Sequence, residues 1–428
     1  MKPKLILRGQ LLDFLTPQKL RHEAKGALVI SSDGRIMWRG PFNKIPAAMK
    51  KATLHDYEDQ LIMPGFIDTH IHFPQYRLLA APGKDLLDWL ARFTFPEEGR
   101  YGKKSHAVKA AEIFLDSLLA HGTTSALVFS SSHKPAAEAL FVVAENRNMA
   151  LITGKTMMDR NCPLPVRDKA EASAIETQEL IEAFHGKARL AYAITPRFAI
   201  TSTPEQLSLA GELLRDYPDC YMQTHLSESH AEIETVMKLF PQAKDYTEIY
   251  EHFGLLGPKS FFAHGIHLSA RELKTLAATQ SKIAHCPTSN TFLGSGLFHM
   301  RRTQEAKVDI GLATDVGGGT SYSMLATMGE AYKVAMLNGI KLKAAEEFYM
   351  STLGNAKILM RDHEIGSLDQ GKFADIAIVN PAATDVLARR QALSETLEDM
   401  LFSLMILGDD RAIRATYVAG KRLHYRRK

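Results

Sequence analysis

Cysteine is scarce in this chain, and no two cysteines have the spacing of a metal or redox motif. The 428 residues include only Cys162, Cys220 and Cys286, with no CxxC pair. This scarcity argues against a disulfide framework or a cysteine zinc site, and it is typical of proteins that work in a reducing compartment. We therefore expect all three cysteines to be structural.

Long apolar segments are also missing. The N-terminal stretch Met1–Lys4 is not followed by the apolar run of a secretory signal. The nearest approach to a membrane-spanning segment runs from Leu401 to Gly408 and stops at Asp409 and Asp410, far short of the length that a bilayer requires. These features predict a soluble cytoplasmic protein with no membrane partner.

A strong excess of one charge is absent as well. Lys and Arg number 52 against 48 Asp and Glu, for a net charge of +4, and the basic residues are spread along the chain. The basic end Tyr425–Lys428 is typical of a solvated tail rather than a nucleic-acid-binding patch, so we predict no nucleic-acid partner. The composition, 45% hydrophobic without repeats, leaves room for one large globular domain and a smaller one.

After residue 63 the chain alternates short apolar strands with amphipathic helices. One helix is predicted from His106 to His121 with Gly122 as its stop, another begins at Thr203–Glu205, and a third spans Leu387 to Leu407. The eight predicted strands are Phe66–His72, Ser125–Ser130, Ala150–Met157, Leu190–Thr195, Tyr221–Leu226, Ser260–Ile266, Lys282–Thr288 and Asp309–Asp315.

This alternation predicts an α/β fold. Eight strand–helix units over about 250 residues match the size of a TIM (β/α)8 barrel. A doubly wound sheet is the alternative, but it would need fewer strands and usually a glycine-rich phosphate loop.

The two ends of the chain have a different, β-rich texture. Near the N-terminus, Ala27–Ile30 and Arg35–Trp38 flank Asp33-Gly34, which is a strong hairpin signal. Near the C-terminus, Ile376–Val379 and Ala415–Val418 are strand-like. We predict two domains, a composite β-sandwich of residues 1–63 and 366–428 and a barrel of residues 64–365.

The first barrel strand ends in a pair of candidate metal ligands. His70 and His72 are two residues apart, so on a strand both side chains point to the same face. In a chain with 17 histidines such a pair is a weak signal by itself. Its weight depends on what the other strands carry at their ends.

Four more polar side chains follow later strands. His225 and Glu228 end the fifth predicted strand, His264 lies on the sixth, and Asp315 ends the eighth. Each could be a core or turn residue on its own. The carboxyl ends of barrel strands meet at one face, so together they indicate a site of nitrogen and oxygen donors, which suits zinc or ferrous iron with a position left for water.

These residues resemble the motifs of the amidohydrolase superfamily, whose members have a TIM barrel flanked by a β domain from both termini. The resemblance covers nearly the whole chain and includes Pro64–His72 and Gly371–Asp375. Two more specific stretches, Met157–Asn161 and Thr195–Ala199, narrow it to the members that deaminate guanine. It implies a metal-dependent hydrolase that acts on a small purine base, with one divalent metal ion, zinc before iron, and a homodimer.

The resemblance also implies a role for each site residue. Asp315 takes a proton from the attacking water, Glu228 carries a proton to a ring nitrogen, and His264 stabilises the addition intermediate. The implied metal ligands are His70, His72, His225 and Asp315; the implied catalytic residues are Glu228, His264 and Asp315; the implied substrate contacts are Gln75, Arg197, Phe198, His225, Glu228 and Trp89.

Two absences refine this expectation. Binuclear members of the superfamily bridge their metals with a lysine at the end of strand four, where this chain has Ala193–Pro196, and Lys155 falls on strand three. The cytidine-type signature H-x-E with P-C-x-x-C is absent. We therefore predict one metal, and we reject His285 and Cys286 as a chelating pair because adjacent strand residues point to opposite faces.

Other readings stay open on the sequence alone. The chain could be another mononuclear amidohydrolase, such as an 8-oxoguanine, adenosine-type or triazine deaminase or a chlorohydrolase, or a non-catalytic relative. Arg197 offers a fork of donors suited to a purine carbonyl. Phe198 and Trp89 could equally be core aromatics rather than pocket residues.

Overall fold

A computed structural model describes residues 2–427 of the chain. The first four strands form the start of a sheet that both chain ends share. The hairpin predicted at Asp33-Gly34 is present: the second and third strands pair antiparallel, and Gly34 has φ 83° as a tight turn requires. The four strands are β1 (Pro3–Thr16), β2 (Lys19–Ser31), β3 (Ile36–Pro41) and β4 (Thr53–Pro64).

The next strands form the barrel and pair in parallel in chain order. All eight predicted strands are present. The third is divided into two short pieces around Lys155, whose backbone N–H leaves the ladder and donates to the Tyr192 hydroxyl at 3.1 Å. The strands are β5 (Phe66–His72), β6 (Thr123–Phe129), β7 (Ala150–Gly154), β8 (Thr156–Met157), β9 (Ala191–Pro196), β10 (Tyr221–Leu226), β11 (Ser260–His264), β12 (Lys282–His285) and β13 (Asp309–Leu312).

Bonds between the first and last barrel strands bring the barrel near closure. The Asp315 N–H donates to the His70 carbonyl at 2.9 Å, and the His72 N–H donates to the Val316 carbonyl at 3.0 Å. The side chain of Asn355 spans the same seam, donating to the carbonyls of Ile67 and Leu312 at 2.6 and 2.9 Å. The predicted TIM-like barrel is thereby confirmed.

Helices surround the barrel and separate its strands. Thr203 caps the sixth helix by accepting from the Gln206 N–H, as its sequence predicts. None of the helices in residues 2–427 has both the length and the apolar character to span a bilayer. The helices are α1 (Leu86–Trp89), α2 (Phe95–Glu98), α3 (Lys104–Ala120), α4 (Lys134–Asn146), α5 (Ala170–Phe184), α6 (Pro204–Asp216), α7 (His230–Leu239), α8 (Tyr246–His252), α9 (Ala270–Ala278), α10 (Pro287–Phe292), α11 (Met300–Glu305), α12 (Met324–Leu337), α13 (Ala344–Tyr349), α14 (Asn355–Ile358), α15 (Asp385–Gln391) and α16 (Leu397–Leu407).

The predicted single helix from Leu387 to Leu407 is wrong, because the structure has α15 and α16 with a break between them. The cause is local capping chemistry. Thr396 takes an extended conformation and its hydroxyl accepts from the Asp399 N–H, which starts a new helix instead of continuing the old one.

The last three strands complete the sheet begun at the N-terminus. They are β14 (Ile376–Val379), β15 (Ile413–Val418) and β16 (Lys421–Tyr425), and the seven-stranded order is β16-β15-β14-β4-β1-β2-β3. This mixed sheet contacts the barrel through polar as well as apolar groups. Thr416 donates to the Leu119 carbonyl at 2.6 Å, and the buried Arg189 donates to Asp375 at 3.1 Å. A β unit built from both termini is confirmed, while its division from the barrel at residues 63 and 366 stays a prediction.

Candidate active site

Three histidines and one aspartate converge where strands β5, β10 and β13 reach the mouth of the barrel. The Nε2 atoms of His72 and His225 are 3.2 Å apart. The Asp315 Oδ1 atom lies 3.3 Å from His70 Nε2 and 3.4 Å from His72 Nε2. All four side chains are buried. The residues predicted as metal ligands therefore meet at one point.

The chemistry of this cluster fits a divalent cation. Burial, the neighbouring imidazoles and Arg197 lower the pKa values of His72 and His225 well below their usual range, which keeps both rings neutral. His225 Nδ1 lies 2.7 Å from the Arg197 carbonyl, so the proton sits there and Nε2 keeps its lone pair. His70 Nε2 has no hydrogen-bond partner within residues 2–427. Neutral imidazole nitrogens beside a carboxylate are a donor set for zinc or iron.

Cys286 also borders the cluster. Its sulfur lies within 4.8 Å of donor atoms of His70, His264 and Asp315. Burial raises the pKa of this thiol well above its ordinary value, and the Sγ–H donates to the Ala284 carbonyl at 3.4 Å. We interpret Cys286 as a neutral packing group beside the site.

His264 faces two carboxylates. Its Nε2 atom lies 3.3 Å from Glu228 Oε2 and 3.9 Å from Asp315 Oδ2, and its Nδ1 atom lies 2.8 Å from Asn290 Oδ1. Burial alone would lower the pKa of His264, but the two carboxylates and Asn290 outweigh it and raise that pKa. Burial would also raise the pKa of Asp315, but His70 and His264 outweigh it and lower that pKa. The arrangement therefore favours an imidazolium beside an ionised Asp315.

Glu228 is placed to hold and release a proton. Burial raises the pKa of this carboxyl, although His264 partly offsets the effect. The Ser295 hydroxyl donates to Oε1 at 2.9 Å, while Glu232 accepts from the Glu228 backbone N–H at 2.7 Å. A carboxyl with a raised pKa next to an imidazole suits general acid–base catalysis near neutral pH.

The backbone is strained where the strands deliver these groups. Ser227, His264 and Asp315 all have positive φ values, 49°, 70° and 50° respectively. Residues with a side chain rarely adopt this left-handed conformation, and it persists only where surrounding contacts enforce it. Such strain gathers at functional sites, which agrees with the position of these residues at the barrel mouth.

A cavity opens directly onto the cluster. Every residue predicted to contact substrate lines it, and Trp89 and Phe198 at the same time belong to the hydrophobic core. Of the four predicted metal ligands, His70 is the one that is not among its lining residues. The lining residues are His72, Gln75, Leu86, Trp89, Leu90, Arg197, Phe198, His225, Glu228, His264, Ser289, Leu293, Asp315 and Gly318.

One side of the cavity is organised by Glu98, a residue that the sequence reasoning missed. Gln75 Nε2 donates to Glu98 Oε1 at 2.9 Å, and Arg197 Nη1 donates to both carboxylate oxygens at 2.9 Å. The neighbouring Glu97 instead pairs with Arg100 on the outer side, at 2.7 Å. The sequence shows two adjacent acids and carries no signal that distinguishes them. Ser295 and Asn290 were also missed as partners of the acid–base pair.

Lys155 belongs to a separate buried cluster. Its Nζ atom donates to Asp168 Oδ2 at 2.7 Å and to Ser173 Oγ at 2.8 Å. These partners account for the ammonium group, which leaves the lysine as part of the barrel wall rather than a metal bridge.

A barrel with a His/Asp cluster at its mouth is typical of metal-dependent hydrolases, and a comparison with known families agrees. The chain belongs to the amidohydrolase family, whose sequence model matches residues 61–423.

Two of its relatives are guanine deaminases from bacteria. The guanine deaminase of Escherichia coli (strain K12) is 46% identical over 411 residues, covering 95% of this chain and 93% of that protein. The solved structure of E. coli guanine deaminase has a TM-score of 0.95 at 43% identity, with 100% of each chain covered. The guanine deaminase from C. acetobutylicum, solved with guanine bound in the active site, has a TM-score of 0.90 at 29% identity over 98% of this chain and 99% of that one.

Proposed function

We propose that this enzyme hydrolyses guanine to xanthine and ammonia. The observation that carries the proposal is a single cavity. It is lined by residues of the His/Asp cluster, by the Glu228–His264 pair, and by the polar side chains of Gln75 and Arg197. The relatives described above support guanine as the substrate, since the E. coli and C. acetobutylicum proteins are both named guanine deaminases and the second was solved with guanine in its active site.

The recognition side of the cavity matches the polarity of a purine base. Arg197 supplies guanidinium N–H donors suited to a ring carbonyl. Phe198, Trp89 and Leu90 supply apolar surface for the flat ring. Small ligands bind best in such sites, where a few placed polar groups orient a molecule held by apolar walls.

We assign His70, His72, His225 and Asp315 as ligands of one divalent cation, zinc before iron. When bound, such a cation lowers the pKa of water from about 15.7 to about 7 and so makes hydroxide available at neutral pH. The lowered pKa values of the two histidines support this assignment, as does the His70 Nε2 atom, which faces Asp315 Oδ1 at 3.3 Å without a hydrogen bond.

The protein's own groups move the protons. Asp315 is ionised and accepts a proton from the attacking water. Glu228 gives a proton to a ring nitrogen as the carbon bearing the amino group becomes tetrahedral. As the ring carbonyl forms, Glu228 takes the proton of the added hydroxyl group and passes it to the amine, which departs as ammonia. The proton that Asp315 took from water then restores the Glu228 carboxyl for the next turnover. The His264 imidazolium lies beside both carboxylates and stabilises negative charge on the addition intermediate.

Two further proposals concern assembly and location. The resemblance to the family supports a homodimer, and exposed apolar side chains such as Leu337 of α12 and Leu407 of α16 are candidates for its interface. The three cysteines are free and buried, which supports a reducing, cytoplasmic setting. Sedimentation of the purified protein as a monomer would contradict the dimer.

The test of the function is ammonia release from guanine, compared with adenine, 8-oxoguanine and guanosine, with and without a metal chelator. We expect turnover of guanine alone, lost on chelation and restored by added zinc. Turnover of a different base would retain the hydrolase and contradict the substrate. Full activity after complete removal of metal would contradict the ligand assignment.

A further inference from the structure

We propose that Glu98 is the positioning residue that makes this pocket select a lactam edge, a ring carbonyl beside a ring N–H. It does so by fixing both the Arg197 guanidinium and the orientation of the Gln75 amide. The inference rests on the proposed function, because guanine carries such an edge at its carbonyl and the adjacent ring nitrogen.

Glu98 is fully buried at the end of α2 and holds two other side chains at once. Its Oε1 atom accepts from both Gln75 and Arg197, and its Oε2 atom accepts from Arg197 again. An ionised carboxylate only accepts hydrogen bonds, so both partners must turn donor atoms toward it. The position of Glu98 therefore determines what the partners present elsewhere.

For Gln75 this constraint determines which of the two amide atoms faces Glu98. Since Nε2 must face Glu98, the carbonyl oxygen Oε1 points away from it. That oxygen is buried and has no hydrogen-bond partner among residues 2–427. Gly317 makes room for the amide, because a Cβ at that position would lie 2.2 Å from Oε1. The pocket is thus left with a buried acceptor that a ligand N–H can satisfy.

For Arg197 the constraint fixes the plane of the guanidinium. Both oxygens of Glu98 bind Nη1, and the ring of Phe95 lies 5.5 Å from the guanidinium carbon. Phe95 and Glu98 belong to the same short helix, so one element holds the charge from two directions. The hydrogen bonds among residues 2–427 use only Nη1 of this side chain, which leaves its other N–H groups as donors for a ligand carbonyl.

A donor from Arg197 beside an acceptor on Gln75 is the complement of a lactam edge. Bases that lack the carbonyl and present an unprotonated ring nitrogen would leave the Gln75 oxygen unpaired and face it with another acceptor. Leaving a buried polar group unpaired carries the full cost of its desolvation, so the pocket rejects such bases. Without Glu98, Gln75 can rotate its amide and the discrimination is lost.

The experiment measures binding rather than turnover, on metal-loaded protein by calorimetry. Hypoxanthine keeps the lactam edge without the reactive amino group, and purine lacks both. Neither can be deaminated, so the comparison isolates recognition. We expect the wild type to bind hypoxanthine more tightly than purine, and Glu98→Gln to weaken hypoxanthine by roughly 10- to 100-fold while purine binding is unchanged. The KM for guanine should rise more than kcat falls.

Glu97→Gln is the matched control, since it makes the same substitution one residue away in the ion pair with Arg100. It should keep the wild-type preference. Loss of affinity for both ligands in Glu98→Gln, or an unchanged preference at normal metal content, would overturn the positioning role. If Glu98→Gln does not fold, Glu98→Asp carries the test, because its shorter carboxylate cannot reach both partners and must also reduce the preference. Failure of the wild type to prefer hypoxanthine would instead count against guanine as the substrate.

Discussion

The two sides of the cavity are built in different ways. On the reaction side, His70, His225, His264 and Asp315 each project from the end of a barrel strand, held by the sheet behind it. On the recognition side, Arg197 follows a strand but takes its orientation from Glu98, which lies in the excursion between β5 and α3. The reaction side therefore depends on the barrel, and the recognition side depends on a buried ion pair.

This difference indicates which part of the protein could change its substrate specificity without losing catalytic activity. Strand ends are rigid and shared by the whole barrel, so changes there disturb the His/Asp cluster. The segment from Leu86 to Glu98 contributes Leu86, Trp89 and Leu90 to the cavity wall as well as the anchor of Arg197. A change within this segment alters the recognition side and leaves the His/Asp cluster in place.

The largest effect should come from Glu228→Gln. A neutral amide keeps the shape of the side chain and cannot relay protons, so we expect kcat to fall by roughly 100- to 10,000-fold. Metal content and hypoxanthine affinity should be unchanged, because the change affects only the reaction side. Stopped-flow and steady-state assays of ammonia release measure the loss. A near-normal kcat would remove Glu228 from the proton path.

Arg197→Ala should damage the recognition side and the stability together. It leaves the Glu98 carboxylate buried without its partner, which we expect to cost about 3–5 kcal/mol of the free energy of unfolding. Urea titration measures this cost. The double variant Arg197→Met with Glu98→Gln removes both charges and should recover most of the stability without recovering the preference for hypoxanthine over purine. Recovery of that preference would contradict the division between the two sides.

Glu347 is a buried carboxyl that belongs to neither the reaction side nor the recognition side of the cavity. Both oxygens of Glu347, in α13, lack a partner within residues 2–427, and burial raises the pKa of this group to about 8. The folded chain therefore keeps a proton that the unfolded chain releases above pH 4.5, so stability falls as the pH rises toward 8. Each tenfold change in an acid constant is worth about 1.4 kcal/mol, and the pKa of Glu347 rises from 4.5 to about 8, so Glu347→Gln should stabilise the protein by about 4 kcal/mol at pH 8.

The same variant should have little effect on stability at pH 4.5 and should leave turnover of guanine unchanged. Urea titrations at the two pH values make the comparison. Equal effects at both values would show that the carboxyl is ionised or solvated in the folded state.

The smallest effect should come from Ser295→Ala. The variant removes one hydrogen bond to Glu228 Oε1, which is worth about 0.5–1.5 kcal/mol, so kcat should fall by roughly 2- to 10-fold. The ligand preference should not change, because Ser295 lies on the reaction side. A changed preference for hypoxanthine over purine with a normal kcat would instead assign Ser295 to the recognition side of the cavity.

The reaction side, which is built on barrel strands, could be predicted from the sequence better than the recognition side, which is built on an ion pair. The alternation of side chains along a strand is strict, so the common face of His70 and His72 could be inferred from spacing alone, and counting strand–helix units was enough to predict the barrel. The short helix α2 has no such regularity. Nothing in the stretch Pro96–Glu97–Glu98 says which acid turns inward, because that depends on contacts with Gln75 and Arg197 made far apart in sequence.

Two local errors have the same origin. The break between α15 and α16 arises from a single capping hydroxyl on Thr396, and the division of the third strand arises from a tyrosine that draws one N–H out of the ladder. Both events compete with an otherwise regular pattern. Hydrophobic periodicity reveals the regular pattern but not the single hydrogen bond that interrupts it.

The order of strands in the terminal sheet bears on how the chain is made. Strand β4 lies between β1, its parallel neighbour, and β14, its antiparallel neighbour, and β14 follows β4 in the sequence by more than three hundred residues. During synthesis β4 therefore presents an open hydrogen-bonding edge until Ile376–Val379 emerges from the ribosome. An open edge recruits strands from other chains. A chain that ends before this point leaves that edge exposed, and pairing with β14 covers it in the completed chain.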